Sequence, residues 1–139
     1  MALKVLIVDD SVIMRNTMKA VFAQMKVDCD FIEAVDGTDA LLQLAQEPVE
    51  LVLLDWNMPK LSGLEFTQKI RSVEKFKDLP IIMVTGNTTR DNVIEAVKSG
   101  VTDYVTKPIN ASNFIEKLAK LPLFAGCQEE AAFADAGAS

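Results

Sequence analysis

Apolar and polar positions along this chain fall into two alternating patterns. Short apolar runs occur at Lys4-Val5-Leu6-Ile7-Val8, Phe31-Ile32-Glu33-Ala34, Leu51-Val52-Leu53-Leu54, Ile81-Ile82-Met83-Val84 and Tyr104-Val105-Thr106. Continuous runs of this length read as strands buried on both faces. Between them, apolar residues recur at helical spacing. Met14, Met18, Val21, Phe22 and Met25 form one such face, and Ala40, Leu41, Leu44 and Ala45 the next. A third helix starts at Gly63 and runs to about Ser72. A fourth carries Val93, Ala96 and Val97, and a fifth Phe114, Ile115, Leu118 and Ala119. Boundary residues agree with this division. Asp10 or Ser11, Asp36, Ser62 (with Glu65 in an S-x-x-E capping box) and Asn110 or Ser112 can each accept a bond from the free N–H groups of a helix start. Gly100 stands where a left-handed helix terminus wants glycine. Five strand–helix units in strict alternation imply an α/β domain: a parallel sheet with helices on both faces.

The third strand is the centre of the pattern. Leu51-Val52-Leu53-Leu54 stops at Asp55, and Pro59 and Ser62-Gly63 mark the loop that follows. In a parallel sheet all carboxyl ends lie on one edge, and open α/β sheets bind ligands there. The residues ending the strands on that edge are Asp9-Asp10, Asp55, Thr85 and Lys107. Singly, each has an ordinary structural explanation: a helix cap, a solvated loop carboxylate, a strand-end threonine, a surface lysine. Jointly they describe a chemistry. Crowded carboxylates need a cation, and oxygen-only donors suit a hard ion such as Mg²⁺. A carboxylate can serve as the nucleophile that takes a phosphoryl group. Such transfer needs mainly positioning and charge stabilisation, which a metal ion, Lys107 and the Thr85 hydroxyl would supply.

Composition narrows the alternatives. The chain has 139 residues, room for one domain with one core. A formal net charge of -6 argues against nucleic acid as a partner. No histidine is present, which excludes histidine-based metal sites, Ser-His-Asp and Cys-His systems, and a phosphohistidine on this chain. No apolar stretch approaches the length of a signal or membrane-spanning segment, so a soluble cytoplasmic protein without membrane contact is expected. Cys29 and Cys127 belong to no motif, and a disulfide is not expected. From Pro122 to Ser139 the chain turns acidic and rich in small residues. Residues 122–139 read as a tail after a domain of residues 1–121, disordered or with a short helix near Glu129–Ala134. An inert tail is favoured over one folded back through Leu123, Phe124 and Phe133.

Val8-Asp9-Asp10-Ser11, Leu54-Asp55-Trp56-Asn57-Met58-Pro59 with Gly63, Val84-Thr85-Gly86 and Tyr104-Val105-Thr106-Lys107-Pro108 together resemble the receiver domain of bacterial two-component response regulators, most of all its single-domain chemotaxis members. The resemblance covers about Leu3 to Leu121, with the motifs in order and at matching spacing. It implies a flavodoxin-like, five-stranded sheet of order 2-1-3-4-5. It implies that Asp55 accepts a phosphoryl group from a histidine kinase in a Mg²⁺-dependent step. Asp10 and Asp55 would ligate the ion directly, Asp9 through water, and Asn57 through its backbone carbonyl. Lys107 and Thr85 would bind phosphoryl oxygens, the Lys107–Pro108 peptide would be cis, and Tyr104 would turn inward after Thr85. The face of the fourth helix, fifth strand and fifth helix would then change affinity for a protein target, with the flagellar motor switch as default. The only reaction catalysed would be the chain's own phosphorylation and dephosphorylation, with a separate phosphatase as a further partner, and the protein would be a monomer. A phosphate-sink or phosphorelay receiver is the alternative. An aspartyl-phosphate phosphatase is disfavoured, because its D-x-D-x-T pattern would need a second aspartate where Asn57 stands. A flavodoxin-like cofactor binder is disfavoured because Asp9-Asp10 would repel a phosphate in the absence of metal. The intact acidic set argues against a phosphorylation-independent module.

Overall fold

A computed structural model describes residues 2–58 and 61–124. Its elements follow the expected alternation: β1 (Leu3–Val8), α1 (Val12–Gln24), β2 (Cys29–Ala34), α2 (Gly37–Gln46), β3 (Leu51–Asp55), α3 (Gly63–Arg71), β4 (Ile81–Thr85), α4 (Arg90–Ser99), β5 (Asp103–Thr106) and α5 (Ala111–Ala119). Short 3₁₀ turns sit at Glu74–Phe76 and Pro122–Phe124. All strand pairs are parallel, and the order is β2-β1-β3-β4-β5, as the resemblance implied.

The continuous apolar runs are explained by two separate cores. Val5, Ile7, Leu51, Leu53, Ile82 and Val84 face Met18 and Phe22 of α1 and Phe114 and Leu118 of α5. Their sequence neighbours Leu6, Val8, Val52, Leu54, Ile81 and Met83 face α2, α3 and α4. Every residue of β3 and β4 is buried, because helices cover both sides. Each large side chain so buried contributes about 1.5–3 kcal/mol, so these strands are stiff supports for whatever their ends carry.

The helices start where short polar side chains predict. Ser11, Asp36, Ser62, Thr89 and Asn110 each accept a bond from the backbone N–H three residues on. At the two ambiguous starts, Ser11 and Asn110 take the cap, which leaves the Asp10 carboxylate out of that role. Gly100 ends α4 at φ +113, a conformation open to glycine without strain.

The packing departs from simple periodicity at several points. On α4 only Ala96 is buried, while Val97 is 56% exposed. That helix leans on α3 more than on the sheet, so its apolar stripe is one residue wide. Ala45 of α2 is likewise exposed beside buried Leu44. Trp56 reads from sequence as loop, yet it is a core residue. Its N–H continues the ladder to the Val84 carbonyl at 3.0 Å, and its side chain joins the α2–α4 core. At the C-terminal end, Phe124 is buried, with its ring 6.3 Å from that of Phe22, so it packs beside α1. Pro59, Cys127, Phe133, the segment Glu129–Ala134 and the side chain of Leu123 lie outside the described residues.

The loop after β3 closes on Trp56 through Gly63. The Gly63 N–H donates to the Trp56 carbonyl at 3.2 Å, and a Cβ there would meet the Trp56 ring, with Cδ2 at 2.9 Å. Gly63→Ala is expected to cost about 1–3 kcal/mol, the usual range for overpacking. Urea unfolding followed by Trp56 emission reads this directly, and an unchanged midpoint would contradict the packing described.

Candidate functional site

The strand order reverses between β1 and β3. At such a point the connections leave in opposite directions and open a crevice outside the strand ends. Asp9 follows β1, Asp55 ends β3, Thr85 ends β4 and Lys107 follows β5. The doubly covered strands β1, β3 and β4 and the edge strand β5 therefore deliver these groups to one edge of the sheet.

Asp9 is the most constrained of them, at 1% exposure. Its N–H donates to the Ala34 carbonyl of β2 at 3.0 Å. Its Oδ1 accepts from the Ser11 N–H at 2.8 Å, and its carbonyl accepts from Arg15 Nη1 at 2.6 Å. Its Oδ2 is buried with no hydrogen-bond partner, and Lys107 Nζ lies 3.9 Å away. Burial pushes the Asp9 carboxyl above the ordinary aspartate value; the Ser11 N–H opposes this and the Asp55 charge adds to it.

Asp55 is 3% exposed. Its Oδ1 accepts from Lys107 Nζ at 3.1 Å and from the Asn57 N–H at 3.3 Å. Asp10 is exposed at the rim. Carboxylate oxygens of Asp9, Asp10 and Asp55 all lie within 4.8 Å of one another. Among the described residues, one ammonium, that of Lys107, is paired with Asp9 and Asp55 of this cluster, and one buried oxygen has no hydrogen-bond donor. Leaving such an oxygen without a partner costs on the order of 1–3 kcal/mol. A hard divalent cation fits this site, because the donors are all oxygen and the orphaned atom is one of them.

The other expected residues are placed around this cluster. Thr85 is fully buried, and its hydroxyl is committed to Asn87: it accepts from the Asn87 N–H at 3.0 Å and lies 3.4 Å from the Asn87 carbonyl. Asn57 is exposed beside Asp55. No atom comes within 4 Å of a Cβ built on Gly86, so that approach is open. The Lys107–Pro108 peptide is cis. Tyr104 stands apart from the acidic cluster, half-buried on β5. Lys117 Nζ sits 4.6 Å from its ring centroid and 3.1 Å from Asp103 Oδ1. Sequence reading missed Lys117, and it missed Arg15, which holds the Asp9 carbonyl. A signal for Arg15 existed: a cation in the first turn of a helix stands against the helix dipole and needs a local reason.

The sequence model of the response regulator receiver domain matches residues 5–119. The chain belongs to that family. A Campylobacter jejuni protein, "Chemotaxis protein CheY homolog", is 41% identical over 117 residues, covering 84% of this chain and 89% of that protein. The Pseudomonas aeruginosa "Chemotaxis protein CheY" is 39% identical over 122 residues, covering 86% and 95%. Among solved structures, Vibrio cholerae CheY4 superposes with TM-score 0.78 at 28% identity, covering 86% of this chain and 98% of that one. The receiver domain of a Pseudomonas aeruginosa sensor histidine kinase, solved with a magnesium ion coordinated in its active-site cleft, gives TM-score 0.75 at 22% identity, covering 86% and 97%. That last likeness speaks to the fold. Receiver domains are signalling proteins and not enzymes in the ordinary sense. Among the described residues of this receiver domain, no helix is long and apolar enough to cross a membrane.

The charge crowding predicts a stabilising substitution. Asp9→Asn keeps an acceptor for the Ser11 N–H and removes the buried charge. In metal-free buffer it is expected to gain about 1 kcal/mol, the scale of relieving one poorly partnered buried polar group. The gain depends on pH with a definite sign. Asp9's raised value means that the folded state holds its proton longer than the unfolded state does. Stability is therefore lost as pH rises through the raised value, and Asp9→Asn lacks that loss. Urea midpoints of both proteins from acid to neutral pH check this; curves that stay parallel would contradict it.

Proposed function

We propose that this receiver domain is a phosphorylation-controlled switch in which Asp55 is the phosphoacceptor. The observation that carries this reading is the convergence of Asp9, Asp10 and Asp55 with Lys107 in one crevice of a family member. Asp10 and Asp55 would hold Mg²⁺ directly, Asp9 through water, and Asn57 through its backbone carbonyl. When bound, the ion neutralises charge on the transferring phosphoryl group. An Asp55 oxygen attacks phosphorus, and the bond from phosphorus to the donor's histidine nitrogen breaks. Lys107, paired with Asp55 Oδ1 at 3.1 Å, moves its charge onto a phosphoryl oxygen. Thr85 gives up Asn87 for another phosphoryl oxygen, and Tyr104 follows inward. Hydrolysis of the acyl phosphate resets the switch.

The output is the face of α4, β5 and α5. Exposed Ile94 and Val97 on α4 make it suited to a protein partner. The donor is a histidine kinase. The chemotaxis names of the relatives support the flagellar motor switch as target. A phosphatase is the further partner, and the working unit is a monomer. Each ligand shifts the two-state balance only by its differential affinity for the two states.

Two experiments test the reading. Asp55→Asn is expected to abolish acid-stable, base-labile phosphate incorporation from acetyl phosphate; full labelling of that variant would refute the assignment. Lys107→Ala should leave Mg²⁺ binding largely intact yet uncouple phosphorylation from output. Coupling between two sites is typically about 1–3 kcal/mol. The rise in target affinity on beryllofluoride treatment, measured by titration of a motor-switch peptide, should therefore nearly vanish. A normal rise would remove Lys107 from this role.

A further inference from the structure

We propose that Arg15 is a positioning residue of the cation site: it holds the Asp9 main chain so that Asp9 Oδ2 stays aimed into the crevice. This rests on the Mg²⁺-dependent reading above and deepens it. Arg15 is in the first turn of α1, and its side chain is only 13% exposed. Nη1 donates to the Asp9 carbonyl at 2.6 Å, and Nε donates to Glu33 Oε1 on β2 at 2.9 Å. The planar fork thus ties the residue after β1 to the neighbouring strand, which a single ammonium does poorly. The Ala34 carbonyl and the Ser11 N–H complete the restraint. Every polar group of Asp9 is then fixed by a hydrogen bond except Oδ2, the buried atom that has none. Asp9 is almost fully buried, so its carbonyl cannot turn to water unless the residue moves and carries Oδ2 with it.

Charge alone predicts the opposite result, which makes the idea testable. Arg15 is a cation near an acidic cluster, so removing it would tighten cation binding if only charge mattered. Lys19 is the internal control. It binds the other oxygen of the same carboxylate, with Nζ 3.0 Å from Glu33 Oε2, and is not among the groups bonded to Asp9.

The experiment titrates MgCl₂ into the full chain by Trp56 emission and by calorimetry. Arg15→Met is expected to raise the Mg²⁺ Kd about ten-fold, the lower end of the loss seen when a group that supports a metal site from outside its direct ligands is removed. Arg15→Lys should shift it the same way, and it decides the matter if Arg15→Met does not fold. Lys19→Met should stay within about two-fold, as a partly exposed, screened charge. A second readout needs no metal. In urea unfolding, Asp9→Asn should stabilise the wild-type background more than the Arg15→Met or Arg15→Lys background, where Asp9 is free to turn. Unchanged or tighter binding in both Arg15 variants, an equal loss in Lys19→Met, or equal stabilisation in every background would overturn the inference. Failure of the wild type to bind Mg²⁺ would overturn the cation reading and take this inference with it.

Discussion

The constraint on which the rest depends is a local excess of negative charge held in place by a rigid core. Asp9 and Asp55 are almost fully buried, Asp10 stands at their rim, and Lys107 is the ammonium paired with them. Left to itself, such a group would relax: carboxylates would rotate apart or the loops would open. It does not relax because the carboxylates sit at or next to the ends of β1 and β3, whose side chains are packed on both faces. The stability of the two cores offsets the electrostatic cost at the edge. The site therefore stores an attraction for cations and for the reactions they assist, which a more flexible support would have dissipated.

Topology and electrostatics meet in the strand order. Because β1 and β3 are neighbours with β2 and β4 on either side, the two buried aspartates come from adjacent strands while their helices leave on opposite faces. β5 lies one strand further out, and Lys107 is long enough to cross β4 and reach Asp55. Its own N–H donates to the Thr85 carbonyl at 2.8 Å. The strand that sends Lys107 into the site also carries Tyr104 and Asp103, and these contact Lys117 of α5. A change in the partner of Lys107 is thus made on the element that borders the proposed output face, through covalent chain and one strand pair.

Much of this was legible in the residue pattern, for identifiable reasons. Doubly covered strands must be apolar at consecutive positions, so β1, β3 and β4 announce themselves. Caps need short polar side chains, so Asp36, Ser62 and Asn110 mark helix starts. Strand ends on one edge are fixed by parallelism, so Asp9, Asp10, Asp55, Thr85 and Lys107 can be brought together on paper. What stayed hidden depends on contacts between distant parts of the chain. Trp56 looks like loop because its burial is created by Gly63 and the α2–α4 core. Val97 looks buried because periodicity does not reveal that α4 leans on α3. The hydroxyl of Thr85 could not be assigned to Asn87, since local backbone geometry in the turn decides it. Arg15 is one basic residue on an amphipathic helix until β2 is seen to place Glu33 beside it.

The basic groups around Asp9 and Glu33 divide their work by where their charge is spent. Arg15 gives its Nε to Glu33, and Lys19 takes the other oxygen of the same group, so most of that positive charge is satisfied at β2, outside the crevice. Glu33 is correspondingly held below the ordinary glutamate range, by Lys19 first and by Arg15 as well, with its partial burial opposing. Among the described residues, the carboxylates are left with Lys107. Had Arg15 turned its charge inward, the crevice would hold two cations against three anions, and its attraction for a divalent ion would be blunted. Glu33 thus acts as a sink for basic charge on the far side of Asp9. It lets a guanidinium brace the site mechanically without neutralising it.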